Sequence, residues 1–150
     1  MITFATEDFE DFQPELALLV PEHYKEIALN QNEIPLDPDW EHYRELNRAC
    51  RLHCVTVRDD GKLVGYHLTI ITSMLHYRTT ISGITDVYFI KPEFRKGFTA
   101  VRMFKFVEAE LRTMGCKQLI TATKKHLDIS KVLERLGYKP VETVFRKMLR

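Results

Sequence analysis

The spacing of apolar and polar positions changes several times along the chain, and each change marks an element. "MITFATE" reads as a short first strand. In "DFQPELALLVPEHYKEIAL", Leu16, Leu19, Tyr24 and Ile27 recur at helical spacing, and Pro21 is expected to break or kink that helix. "NQNEIPLDPDW" is a loop by its Asn, Asp and Pro content, and "PDWEHYRELNRA" restarts a helix with Asp39 as its N-cap. "RLHCVTVRDDGKLVGYHLTIIT" contains two β-rich runs joined by Asp59-Asp60-Gly61, a hairpin. After the turn around "LHYR", "TTISGITDVYFI" reads as a third strand of that group.

The sharpest change lies inside "VYFIKPEFRKGFTAVRMFKFVEAEL". It is strand-like before Lys91 and an amphipathic helix after Gly97. That helix gathers Ala100, Phe104, Val107, Leu111 and Met114 on one face and ends at Gly115. "KQLITAT" is then a strand. "DISKVLERLGY" is a short helix capped by Asp128, buried along Ile129, Val132, Leu133 and Leu136, and closed by Gly137. "VETVFRKML" alternates as a last strand. The predicted order is β-α-α-β-β-β-α-β-α-β, a mixed α/β chain read as one domain over 1–150.

Composition excludes more than it selects. With 150 residues, 45% hydrophobic and 29% charged, the chain is an ordinary globular one. No apolar run approaches a membrane span, no signal-peptide pattern opens the chain, and the three cysteines lack a framework spacing, which fits a reducing cytoplasm. Net charge is +1 but unevenly placed. Residues 1–90 hold 7 Lys/Arg against 15 Asp/Glu, and residues 91–150 hold 15 against 6. The acidic part suits a cationic partner and the basic part an anionic one, although two solvated faces that neutralise each other would look the same. No basic stripe with interleaved aromatics points to nucleic acid. Cys50, His53 and Cys54 do not make a metal site, because neighbours on a strand face opposite ways and no second ligand pair follows.

A strand running through a short turn into a helix aims unpaired backbone N–H groups at an anion, helped by the helix dipole. Gly97 permits close approach, Arg95 and Lys96 add charge, and Thr99 adds a hydroxyl. Neither a Walker loop nor a dinucleotide fingerprint is present.

"IKPEFRKGFTAVRMFKFVEAEL" resembles the acyl-CoA pyrophosphate motif of the GCN5-related N-acetyltransferases, Arg/Gln-x-x-Gly-x-Gly/Ala. Pro92, Glu93, Phe94 and Arg95 reproduce its lead-in. Phe98 falls on the usual middle glycine, Ala100 on the last small residue, and Gly97 is shifted by one. "LERLGYKP" and the "DDGKLVGY" hairpin are also similar to family segments, and the whole pattern looks most like small acetyltransferase-like proteins of tailed phages.

The resemblance implies the acyl-CoA N-acyltransferase fold, a mostly antiparallel mixed sheet flanked by helices, and acetyl-CoA as co-substrate. It implies that "DVYFI" splays from "KQLITAT" with the pantetheine arm between them. A backbone N–H near Ile90 would polarise the thioester, with Phe89 beside it. Gly97, Phe98, Thr99 and Ala100 would hold the diphosphate with Arg95 and Lys96, and Lys124, Lys125 or Lys131 would reach the 3′-phosphate. The acceptor would be an amine-bearing small molecule or protein under the first helix–loop–helix, near Glu33, Asp37, Trp40 and His42. The location would be cytoplasmic, that of the host for a phage protein. Oligomeric state is open, a homodimer included.

Asp86 is the only acidic residue between Gly61 and Lys91. On strand alternation it shares a face with Ile84, Tyr88 and Ile90 and is read as a general base or an anchor for the substrate ammonium. The family's acid, a tyrosine, is replaced here by Leu133, expected in the core. His126 and Tyr88 are the substitutes. Two readings follow: an acetyl-CoA-dependent N-acetyltransferase acting on a primary amine, or a weakly catalytic relative that binds CoA or a protein partner.

Overall fold

A computed structural model describes all of residues 1–150. In chain order the elements are β1 (Ile2–Thr6), α1 (Phe9–Ile27), α2 (Trp40–Arg48), β2 (Leu52–Asp59), β3 (Lys62–Ser73), β4 (Ile81–Ile90), a single 3-10 turn (Pro92–Phe94), α3 (Thr99–Thr113), β5 (Gln118–Ile120) and α4 (Ser130–Arg135). The five strands lie side by side in sequence order. All neighbours are antiparallel except β4 and β5, which run parallel.

The β2–β3 hairpin turns on Asp60 (φ 45°) and Gly61 (φ 85°), the left-handed pair a tight hairpin turn requires. Its strands read as near-continuous apolar runs because both faces are covered. On one face α1 and α2 bury Phe9, Phe12, Leu16 and Leu46 against Cys54, Tyr66, Leu68 and Phe89. On the other face α3 and α4 pack Met103, Phe104 and Leu133 against Val57, Val64 and Ile90. Leu133 is core, as its spacing predicts.

Asp39 caps α2 by accepting from the His42 N–H at 3.0 Å. Asp128 lies just before α4 and accepts the Ser130 N–H at 2.9 Å. At the ends of α3 and α4, Gly115 and Gly137 adopt positive φ. There Cys116 and Tyr138 donate back to Leu111 and Leu133, the paired closure of a Schellman motif.

Several expectations fail. Pro21 does not interrupt α1, which runs unbroken through Pro14 and Pro21. Both prolines are solvent-exposed, so water can take the carbonyls they leave unbonded. Met114 is exposed, and Met103 joins the buried stripe of α3 instead. "KQLITAT" yields only a three-residue strand. "VETVFRKML" forms no strand. Its Arg146 reaches Asn30 at 2.7 Å and Arg150 reaches Glu33 at 2.6 Å, so the segment is drawn to the α1–α2 loop. Val141, Val144, Phe145 and Leu149 remain exposed.

Candidate functional site

β4 and β5 pair over only three positions, Ser82 with Gln118, Gly83 with Leu119 and Ile84 with Ile120. Beyond Ile84, β4 continues alone for another six residues while the chain after Ile120 turns away. A wedge-shaped gap opens along the second half of β4. The other edge of β4 stays on β3 to the end, where the Lys91 N–H bonds the Val64 carbonyl at 2.8 Å. Hydrogen-bond direction alternates along an antiparallel ladder, so the N–H groups of Ile90 and Tyr88 point away from β3, into the gap. Phe89 does not share this role. Its N–H falls on the β3 edge, and its ring is buried against His23 with centroids 4.8 Å apart.

Below the gap, the Pro92–Phe94 turn leads through Gly97, at φ 62°, into α3. A Cβ at Gly97 would meet nothing within 4 Å, so the turn is open to a ligand. The N–H groups from Lys96 to Val101 find no acceptor within the chain, and α3 has neither a side-chain cap nor an acidic residue in its first turn. This cradle is chemically matched to a diphosphate. Phe98, standing where a glycine is usual in the motif, is 75% exposed, so it is not packed into the turn. Ala100, in the first turn of α3, packs against the core.

The turn's side chains are used differently from the prediction. Arg95 donates from Nε to the Ile90 carbonyl at 2.7 Å, clamps Glu26 of α1 at 2.6 and 2.8 Å, and lies over Phe89. It ties α1 to the turn rather than standing free for an anion. The Thr99 hydroxyl bonds the Lys96 carbonyl at 3.1 Å. Lys96 is exposed and unpaired. Lys124 lines a cleft on the α1–α2 side that none of the turn residues 95–100 lines.

That cleft, of about 440 Å³, lies between α1, the α1–α2 loop, α2 and the sheet. His23 and Tyr66 share its floor, His23 Nδ1 and the Tyr66 hydroxyl standing 2.7 Å apart. Burial first, and then the charges of Arg95 and Lys124, lower the His23 imidazole to about 4, so it is neutral near pH 7.

Asp86 reaches this side through an irregularity. Thr85 pairs with Thr69 and Val87 with Leu68, which leaves Asp86 as the extra residue of a β-bulge. The bulge resets the alternation: Thr85 and Tyr88 contact His67 on the α3 side, while Val87 packs into the α1–α2 core. Asp86 accepts a hydrogen bond from Tyr43 of α2, so it faces α2 and not, as strand alternation predicts, the side of Tyr88 and Ile90. Burial, reinforced by the Asp86 carboxylate, holds the Tyr43 hydroxyl firmly protonated.

On the opposite face the Tyr88 hydroxyl donates to the Ala122 carbonyl at 2.9 Å, bridging from β4 to the segment beyond the gap. It packs in the same cluster as Leu133, and burial raises its pKa. His126 is exposed in the turn closed by the Lys124–Leu127 bridge and makes no hydrogen bond or ion pair. Of the residues expected near the acceptor, Asp37 and Trp40 line the cleft. Glu33 pairs with Arg150, and His42 with Glu45. Tyr43, the His23–Tyr66 pair and Arg146 carried no sequence signal beyond helical or strand spacing.

Solved structures share this architecture over their full length. A predicted acetyltransferase from Clostridium acetobutylicum, solved with acetyl-CoA, superposes with a TM-score of 0.74 at 13% identity, covering 99% of this chain and 96% of that one. This is the GCN5-related N-acetyltransferase fold. The same fold is found in an aminoglycoside acetyltransferase from an uncultured soil metagenomic sample, with a TM-score of 0.75, 11% identity, and 99% and 97% coverage. The aminoglycoside N-acetyltransferase AAC(6')-Iy, solved with a CoA bisubstrate analogue, gives 0.70 at 19% identity, covering 100% and 99%. No protein-family model and no curated protein sequence matches the chain. Within the acetyltransferase fold, no group of three or more His, Cys, Asp or Glu is placed to hold a metal ion, and no helix is long and apolar enough to cross a membrane.

Proposed function

We propose that this chain is an acetyl-CoA-dependent N-acetyltransferase that transfers acetyl directly to a primary amine. The observation that carries this reading is the β4–β5 gap with unpaired Tyr88 and Ile90 N–H groups along it and the open N–H cradle of residues 96–101 at its end. Bound acetyl-CoA supplies an acyl thioester, whose C–S bond breaks as a C–N bond forms while one proton leaves the amine and one reaches the sulfur.

The chain's own residues divide this work between the two faces of the sheet. The cradle binds the diphosphate, and the N–H groups of Tyr88 and Ile90 stabilise negative charge developing on the carbonyl oxygen. Asp86 stands two residues before Tyr88, about 7 Å along a strand. One of its oxygens is taken by Tyr43, and the other is free to hold the amine and accept its proton. On the far face Tyr88, beside Leu133, holds its hydroxyl on the Ala122 carbonyl and turns from it to protonate the leaving sulfur. The fold is fully formed with a leucine at the usual acid position, and Tyr88 from β4 occupies the same neighbourhood. His126 has no contact that would orient it for the task.

Titration calorimetry with acetyl-CoA tests the cofactor site. Gly97→Asp places a carboxylate in the cradle at a left-handed position that aspartate tolerates better than most residues. The parent is expected to bind and the variant to lose affinity by about tenfold or more. Equal affinities would move the site elsewhere.

A further inference from the structure

The cleft on the α1–α2 side has a chemical character that narrows the acceptor. Its walls are mainly apolar and aromatic, with Val20, Ile27, Ile34, Leu36, Trp40 and Tyr66 prominent. Ile34 and Leu36 are more than a third exposed at its rim, apolar surface that nothing in the chain covers. Two of its charged side chains are cations without an acidic partner. Arg146 bonds only the neutral Asn30, and Lys124 makes no ion pair. Asp37 and Asp39 also line it, Asp39 accepting the His42 N–H as the α2 cap, so the lining holds two acids against two cations. At the sheet end, Tyr43 fixes Asp86 beside Val87. Such a site has an apolar volume large enough for a ring, balanced charge in its lining, and the Asp86 carboxylate next to its Val87 wall.

We propose that the acceptor is a primary amine with an apolar, ring-sized body, not a polyamine or an aminosugar. The proposal rests on the acetyltransferase reading for its chemistry and on the cleft alone for its selectivity. The aminoglycosides bound by structural neighbours are polar compounds with several amines, whereas the walls of this cleft are mainly hydrocarbon. A hydrocarbon ring displaces water from Trp40, Tyr66 and the aliphatic wall, a gain that a polyamine chain or a hydroxylated sugar does not make.

Trp40 is the only tryptophan of the chain and lines the cleft, so its fluorescence reports occupancy without any turnover. The intact protein is titrated separately with 2-phenylethylamine, spermidine and glucosamine, and CoA release from acetyl-CoA is followed with each amine in parallel. Saturable change with 2-phenylethylamine is expected, at a Kd lower by about tenfold or more than for the other two, the factor that one well-buried ring supplies. Asp86→Asn is expected to weaken that binding. Arg146→Glu is expected to improve spermidine relative to 2-phenylethylamine. Tighter binding of spermidine or glucosamine overturns the proposal, and so does the absence of any Trp40 response. Selective binding of 2-phenylethylamine with no CoA release would instead overturn the acetyltransferase reading and leave the acceptor class standing.

Discussion

The His23–Tyr66 pair permits a stability measurement whose size follows from its surroundings. His23 is 6% exposed and Tyr66 fully buried, and the imidazole is lowered from an ordinary 6.5 to about 4. Below pH 6.5 the unfolded chain binds a proton there that the native chain refuses. Stability contributed by the neutral imidazole is therefore complete above 6.5, declines as pH falls, and levels off below 4. Between pH 7.5 and 4.5 this one group accounts for about 2.5 kcal/mol, at 1.36 kcal/mol per unit of pKa difference. The double variant His23→Phe, Tyr66→Phe removes both polar partners together and keeps two rings of similar shape, so at pH 7.5 it is expected to lie near the parent. Tyr66→Phe alone, which strands Nδ1 of His23, is expected to cost about 1–3 kcal/mol. Urea unfolding at both pH values checks this. His53 and His67 are also lowered by burial but remain in both proteins, so the difference between the two curves belongs to His23. If parent and double variant lose the same stability on acidification, the imidazole is not held neutral by its site and the reasoning fails.

Three further outcomes are expected. Tyr88→Phe lowers kcat by about 10²-fold, the low end for a general acid, with acetyl-CoA affinity unchanged; an undiminished kcat in a CoA-release assay would remove Tyr88 from the chemistry. At Gly65 a Cβ would come within 2.6 Å of the Phe89 carbonyl oxygen and 3.1 Å of the Ile90 Cα. Gly65→Ala must shift the strand that carries the Ile90 N–H, so it is expected to cost about 1–3 kcal/mol by thermal melting and to reduce kcat/KM. Leu133→Ala, in the α3–α4 core, should lose about 2–5 kcal/mol in chemical denaturation, and a stability equal to the parent's would show that Leu133 is not packed.

Much of this molecule could be read in advance. The hairpin at Asp60-Gly61, the strand–turn–helix at Gly97, the Asp39 cap and the glycine closures at 115 and 137 are each written in a few adjacent residues, because the physics that forms them is local. What escaped depends on partners far along the chain. Pro21 stays inside α1, on the side of the helix that meets water. The strand-like alternation at 141–149 does not add to the open β5 edge; Arg146 and the following Arg150 bond the α1–α2 loop instead. Arg95 looked like an anion ligand until Glu26, 69 positions away, occupied it. Asp86 stands out in the sequence as a lone acid, but period-two spacing assigns it the opposite face, because two-against-one pairing leaves no trace in that spacing.

That inversion has an evolutionary reach. The carboxylate and the fault in the ladder are the same residue: deleting Asp86 would let Thr85 and Val87 follow one another in unbroken register with Thr69 and Leu68. Thr85 would stay on the α3 side and Val87 on the α1–α2 side, the faces they already hold, so the deletion would take away the carboxylate and leave the rest of both walls in place. No gradual series of substitutions leads from one arrangement to the other. A lineage holding this bulge can exchange aspartate for other side chains and drift in chemistry, but smoothing the strand by deletion would remove the position that carries the acid along with the fault.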